Sequence, residues 1–288
     1  MTESNLQISG SLWDQVIAKS QQALVCGALQ SISTTQEKLE QNDLMFIVRV
    51  CQKIAKKQAM TSKTAGNPFL PYEENLFVAD LPPSHVALLN KFNVVEHHLL
   101  IITRHFEAQE SWLTLSDFTA LAQSMKQING LAFYNGGKIA GASQKHKHLQ
   151  LVTLPPIQEA FSAPIATWMT APNLAAGILP KLPFLHAVAP LSLDWSESPQ
   201  ALAANFIQHY QNLYKAVGLQ HGVLPQPYNL LVTRQWMLLV PRSQESYANI
   251  SVNALGFAGS LFVRNREQLE QLQSIGPMTL LQHVTYPR

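Results

Sequence analysis

Residues 141–150 read Gly141-Ala-Ser-Gln-Lys-His-Lys-His-Leu-Gln150, and the chain stays apolar from there to the Pro155-Pro156 stop. Side chains alternate between the two faces of an extended strand. A strand over 146–154 therefore projects His146, His148 and Gln150 together and turns Lys147 and Leu149 the other way. The preceding loop holds Gly136, Gly137 and Gly141, so its backbone N–H groups are free to approach an anion closely.

Outward from this stretch the pattern is one of short strands and separate helices. Ser11 with Asp14, and Thr114 with Asp117, have the spacing of capping boxes and open two helices. The second has an apolar face of Phe118, Leu121, Met125 and Ile128. Strands are expected at Ala28–Thr34, Leu44–Val50, Leu76–Leu81, Asn93–Thr103 and Leu131–Tyr134. Pro164, Pro172, Pro180, Pro183 and Pro190 interrupt 160–193, which reads as an Ala/Pro-rich connection packed on the surface. An amphipathic helix follows at Ala203–Val217. After it come a hairpin, Asn229–Thr233 and Trp236–Val240, turning at Arg234-Gln235, a strand at Ser260–Val263, and a last helix ending at Gly276-Pro277. Asn93–Arg104 also echoes Asn229–Arg242, each running from Asn through an apolar strand to Arg. That fits a weak duplication, and equally two unrelated buried strands. The fold class is α+β, an antiparallel sheet with flanking helices.

Composition narrows the class. The chain has 288 residues, 47% of them hydrophobic and 13% charged, enough apolar material for a large core. A formal net charge of +2 gives no nucleic-acid or membrane surface. Two cysteines, Cys26 and Cys51, make no disulfide framework or Cys-rich zinc site, which suits a reducing cytoplasmic setting. The polar start is not a signal peptide, and no apolar run has the length to cross a bilayer.

A row of imidazoles and an amide beside an anion cradle suits phosphate chemistry. A neutral imidazole attacks phosphorus, a neighbour fixes its tautomer, and donors hold the transition-state oxygens. The plain alternative is a set of histidines satisfied within a core. Alternating histidines also ligate metals, with His97, His98 and His105 as candidates to complete a set. No cysteine or acidic residue adjoins the motif, which argues against a resident metal.

The stretch resembles the His-x-His-x-Gln motif of the transferase branch of the histidine-triad superfamily. Asn90–Val95, the HHLLIIT strand, Phe133–Asn135, Tyr228–Thr233 and Asn253–Gly259 occur in the order found in diadenosine tetraphosphate phosphorylases, also called ATP adenylyltransferases. The resemblance spans roughly residues 45–264. It implies three regions: a histidine-triad-like catalytic part over 1–158, a connection over 159–200, and a C-terminal part over 201–288, a degenerate second half that completes the nucleotide site. It also implies phosphorolysis of diadenosine tetraphosphate to ATP and ADP, reversibly, with His148 as the nucleophile that carries AMP. Gln150 would hold phosphoryl oxygens, and His146 would position His148. An amide, unlike the histidine of hydrolase relatives, neither protonates a leaving group nor handles water, which favours transfer.

By the same resemblance Asn135, Gly141, Ala142, Ser143 and Gln144 form the phosphate-holding loop. Asn90 and Lys91 contact substrate, and Asn229, Thr233 and Arg234 meet the nucleotide. Lys57, chosen among Lys53, Lys56 and Lys57, supplies a cation for the polyphosphate. No metal site is carried over, since the zinc-binding Cys pairs of the uridylyltransferase cousins are missing. No cofactor is expected to be tightly bound; Mg2+ enters with the nucleotide. Expected partners are diadenosine tetraphosphate, ATP, ADP and phosphate, with adenylyl sulfate as a side substrate, in a monomer or small homo-oligomer. Two other functions fit the motif less well: a dinucleoside polyphosphate hydrolase or other nucleotidyltransferase, and a non-catalytic dinucleotide sensor.

Overall fold

Ser11 and Asp14 do cap a helix. Asp14 N–H donates to Ser11 Oγ at 3.2 Å, and Ser11 N–H donates to Asp14 Oδ2 at 3.0 Å. Helix α1 (Leu12–Val25) follows and buries Leu12, Val16 and Ala23. This computed structural model describes residues 10–51, 66–153, 163–219 and 222–288. After α1 come β1 (Thr34–Gln41), β2 (Leu44–Cys51), β3 (Phe77–Leu81), β4 (His85–Leu89) and β5 (Leu99–Thr103). The Thr114–Asp117 box then opens α2 (Leu115–Gln127), followed by β6 (Gly130–Asn135) and β7 (His148–Thr153). Next are α3 (Ala171–Ala176), β8 (Ala187–Pro190), α4 (Pro199–Ala216), β9 (Tyr228–Val232) and β10 (Trp236–Pro241). The chain closes with β11 (Ser246–Tyr247), β12 (Ile250–Ser251), α5 (Ala254–Phe257), β13 (Ser260–Val263), α6 (Arg266–Ile275) and α7 (Pro277–His283). No helix among the described residues is long and apolar enough to cross a membrane.

Eight strands form one antiparallel sheet in the order β3-β4-β5-β7-β6-β9-β10-β8. Its middle has an internal symmetry: helix α2 leads into β6 and β7, helix α4 leads into β9 and β10, and β6 pairs with β9 at the centre. Outside these, β5 borders β7 and β8 borders β10. The second half is therefore real, but the repeated unit differs from the sequence echo. The counterpart of β5 is β8, so Asn93–Arg104 and Asn229–Arg242 are not equivalent segments.

One face of the sheet carries α1, α2 and α4, packed on Ile101, Leu149, Leu151, Ala132, Leu230 and Leu239. The other is shared by two covers. A small sheet, β1-β2-β13, and the C-terminal helices cover Leu131, Phe133, Val152 and Leu231. Phe69 covers Val86, Leu88, Leu100 and Ile102. Gln150 pairs with Phe133 on one side and Leu100 on the other. The motif therefore sits where the two covers meet.

The structure departs from the sequence reading in several places. The first strand is Thr34–Gln41 rather than 28–34, and β4 was not expected. β5 begins only at Leu99, because His97 takes φ +54° and 93–98 turns instead of extending. β7 begins at His148, and His146 meets Ala108 in an isolated bridge. The Pro-rich stretch is not superficial, since Ile165, Leu179, Leu182 and Phe184 are buried in the second cover and β8 pairs with β10. That pairing, and the β6–β9 pairing, run one sheet through all three expected regions. Gly276-Pro277 ends α6 and also starts α7, with Pro277 at the first helical position, where its missing N–H costs nothing.

Candidate active site

Three imidazoles converge around the motif, and the polarity of each follows from its partners. Phe69 N–H donates to Asn67 Oδ1 at 3.0 Å, which turns the Asn67 Nδ2 towards His146 Nδ1 at 2.8 Å. His146 Nε2 lies 2.8 Å from the Thr103 carbonyl and 2.9 Å from Thr103 Oγ1. The Thr103 hydroxyl gives its own proton to His105 O at 2.8 Å, so His146 Nε2 is a donor. Both nitrogens of His146 are thereby committed, and burial lowers its pKa. His98 is committed in the same way, by Asn90 Nδ2 at Nδ1 (3.2 Å) and by Gln150 Oε1 at Nε2 (2.9 Å).

His148 differs. Its Nδ1 lies 2.8 Å from the His146 carbonyl and must donate to it, which puts the lone pair on Nε2. No described residue hydrogen-bonds that nitrogen. Burial pushes the His148 pKa down from 6.5 to about 4, so the ring is neutral at physiological pH. Of the three imidazoles, only this one offers an uncommitted lone pair. It is 4% exposed, against Phe69 at 5.4 Å between ring centres.

The backbone of His148 is clamped by Gln109, which is fully buried. His148 N–H donates to Gln109 Oε1 at 2.8 Å, and Gln109 Nε2 donates to Asn135 O at 2.8 Å and His148 O at 3.3 Å. On the helix face, Lys147 sits 2.9 Å from Asp117 and 2.8 Å from Glu107, and Asp117 also meets His85 Nε2 at 3.0 Å. Asp117 titrates below the usual carboxylate range: its burial is outweighed by the hydrogen bond to His85, the charge of Lys147 and the Thr114 N–H. A buried ion pair thus pins the strand directly behind the nucleophile.

The loop before β7 folds as its glycines allow. Gly141 has φ +88°, and a Cβ there would lie 2.5 Å from the Val252 carbonyl. Beyond it, the backbone N–H groups of Ser143, Gln144 and Lys145 have no acceptor among the described residues, leaving three donors for an anion. Beneath the loop lies Arg242, 1% exposed. Its Nη1 donates to Asn229 Oδ1 at 2.6 Å, Val252 O at 2.9 Å and Ala140 O at 3.3 Å. Burial pushes its pKa down to about 9, so it remains a cation.

Several residues expected at the substrate bond one another and hold the site together. Asn135 and Asn229 are buried. Asn135 Oδ1 accepts from Asn229 Nδ2 at 2.8 Å and Ala254 N–H at 2.9 Å, tying β6, β9 and α5 to the loop. Asn90 faces His98, and Lys91 pairs with Glu73 at 2.6 Å. Thr233 and Arg234 lie further along the chain from Asn229. They follow β9 at the end opposite Asn229, about 13 Å away at 3.3 Å per residue, Thr233 one residue beyond the Ala132–Val232 pair. Thr233 Oγ1 takes the Trp236 N–H at 3.1 Å, and Arg234 caps α2 through the Met125 and Lys126 carbonyls while covering Trp195. Gly141, Ala142, Ser143 and Gln144 do form the loop ahead of His148. Lys53, Lys56 and Lys57 lie outside the described residues. Gln109, Arg242 and the role of His98 had no signal in spacing, because each acts from a distant segment.

An apolar cleft lined by Val95, Leu131, Val152, Leu255 and Ala258 opens on the same sheet face, Val152 being two residues from Gln150. Among the described residues no group of three or more His, Cys, Asp or Glu side chains is placed to hold a metal ion.

The comparisons with known proteins agree with this geometry. The Ap4A phosphorylase N-terminal domain family matches residues 2–171, and the ATP adenylyltransferase C-terminal domain family matches 180–287. Diadenosine 5',5'''-P1,P4-tetraphosphate phosphorylase 2 of Saccharomyces cerevisiae is 30% identical over 233 residues, 72% of each chain. Protein APA1 of the same yeast is 27% identical over 210 residues, 66% of this chain and 64% of that protein. The crystal structure of yeast Ap4A phosphorylase Apa2 superposes with a TM-score of 0.78 at 26% identity, covering 100% of this chain and 99% of that one. Apa2 in complex with Ap4A gives a TM-score of 0.74 at 25% identity, with the same coverage.

Proposed function

This chain belongs to the Ap4A phosphorylase family, and from that membership we propose that it splits diadenosine tetraphosphate with inorganic phosphate into ATP and ADP, through an AMP carried on His148. It is a nucleotidyltransferase. The observation that supports His148 as nucleophile is its uncommitted lone pair at Nε2, the one such lone pair among the three imidazoles at the motif.

His148 Nε2 attacks an α-phosphorus, the bond to the bridging oxygen breaks, and ATP leaves with that electron pair. A polyphosphate oxygen is a good leaving group and needs no proton, so an amide at position 150 suffices where a hydrolase keeps a histidine. The adenylylated ring becomes cationic, and its Nδ1–H stays bonded to the His146 carbonyl, which stabilises that charge. A phosphate oxygen then attacks phosphorus, the N–P bond breaks, ADP leaves and the ring returns to neutral. The amides of 143–145 and the buried Arg242 charge favour the polyphosphate. The apolar cleft beyond Gln150 suits the adenine of the transferred AMP. Magnesium in this scheme belongs to the nucleotide and not to the protein. The test is product analysis with and without phosphate. The proposal expects ATP and ADP with phosphate and no steady turnover without it; continuous release of AMP and ATP in phosphate-free buffer would instead identify a hydrolase.

A further inference from the structure

We propose that Asn90 and His98 fix which end of the Gln150 amide faces the reacting phosphorus, making His98 a positioning residue; this rests on the adenylyl-transfer reading above. A carboxamide flipped by 180° keeps its shape and exchanges its donor for its acceptor. Only the NH2 end favours phosphoryl oxygens, and the carbonyl end repels them. The structure contains a chain of bonds that selects one end. It starts at a group that can only donate, the Phe92 backbone N–H, 3.3 Å from Asn90 Oδ1. The other end of Asn90, Nδ2, therefore meets His98 Nδ1 at 3.2 Å, which makes Nδ1 the acceptor. The proton of the neutral ring then sits on Nε2, 2.9 Å from Gln150 Oε1. The carbonyl end of Gln150 is occupied, and its NH2 is left for substrate.

The same device recurs on the other side of the nucleophile. Phe69 N–H sets Asn67 at 3.0 Å, and Asn67 sets His146 at 2.8 Å. Each polarity starts from a backbone amide, which has no alternative orientation. The relay also keeps Gln150 from turning its oxygen towards water.

The first test reads the resting protein and needs no turnover, so it stands even where the adenylyl-transfer reading fails. Imidazole 15N spectra of histidine-labelled protein, with His98 identified by its loss in His98→Ala, report the tautomer at neutral pH. The proposal expects Nε2–H with an unprotonated Nδ1; Nδ1–H overturns it. The second test is a cycle on kcat for phosphorolysis, in which KM and Tm are also measured. His98→Ala is expected to lower kcat by about 10–100-fold when Gln150 is present. In a Gln150→Ala background it is expected to lower kcat less than about twofold, since nothing is left to orient. Equal losses in both backgrounds reveal a merely structural residue and overturn the proposal. Asn90→Leu, which leaves the ring in place, is run through the same cycle and decides the matter should His98→Ala not fold.

Discussion

Replacing Gln109 with Leu removes the clamp on the nucleophile's backbone while keeping a side chain of similar length. Three hydrogen bonds are lost, at 2.8, 2.8 and 3.3 Å. One partner, the His148 N–H, is left without its acceptor at a site where Gln109 is 0% exposed and water does not replace it, while Asn135 O keeps the Gly137 N–H at 2.8 Å. An unsatisfied buried backbone group costs about 1–3 kcal/mol, and the leucine's own burial offsets part of that. For a chain of this size a loss of that order lowers Tm by roughly 2–12 °C. Activity falls further than stability requires, because the freed strand no longer holds His148 Nε2 in line. We expect kcat to drop at least about tenfold at temperatures where the variant is fully folded. Gln109→Glu is expected to be no milder, since its carboxylate faces the Asn135 carbonyl. Differential scanning calorimetry and initial rates of ATP formation check both effects. A Gln109→Leu protein with Tm within about 2 °C of the parent and unchanged kcat refutes the clamp.

The pH dependence follows from His148. Its folded pKa, about 4, lies below the 6.5 of the free side chain, so as pH falls from 6.5 to 4 the unfolded chain takes up a proton that the native one refuses. Stability therefore declines across that window, by a few kcal/mol at most, and urea titrations between pH 7.5 and 4.5 measure it. The same shift keeps the nucleophile unprotonated, so kcat/KM of the free enzyme should show no falling limb from this ring until pH drops below about 5. Lys147→Met strands Asp117 behind the strand and is expected to cost about 3–5 kcal/mol; the double variant with Asp117→Asn should lose less than the two single costs added, and denaturant melts check the difference. Arg234→Ala, at the remote end of β9, is expected to loosen the C-terminus of α2 and lower Tm while leaving KM for the dinucleotide within about twofold, because Arg234 bonds the Met125 and Lys126 carbonyls and no part of the site.

Features governed by local chemistry were legible in the sequence. Both capping boxes formed, and alternation along HKHLQ separated the site face from Lys147 and Leu149. Features decided by tertiary pairing were not. Thr34–Gln41 is too polar to read as a strand, yet it pairs along its whole length with β2. The proline-rich 163–190 looked superficial because proline breaks periodicity, although its apolar residues fill the second cover. Within the site, the resemblance named segments that the fold brings to the motif, but not the bonds that their side chains make to one another. Asn135, Asn229 and Asn90 spend their amides on neighbouring residues, and Arg234 caps a helix. Gln109, 39 residues before His148 in sequence, had no pattern to announce it.

The measurement that bears most directly on the account is intact-protein mass spectrometry after mixing with diadenosine tetraphosphate in phosphate-free buffer. One AMP should become bound through nitrogen at His148, be released as ADP when phosphate is added, and be absent from a folded His148→Ala protein. An adduct on another residue, or full turnover with no adduct and no need for phosphate, would contradict it.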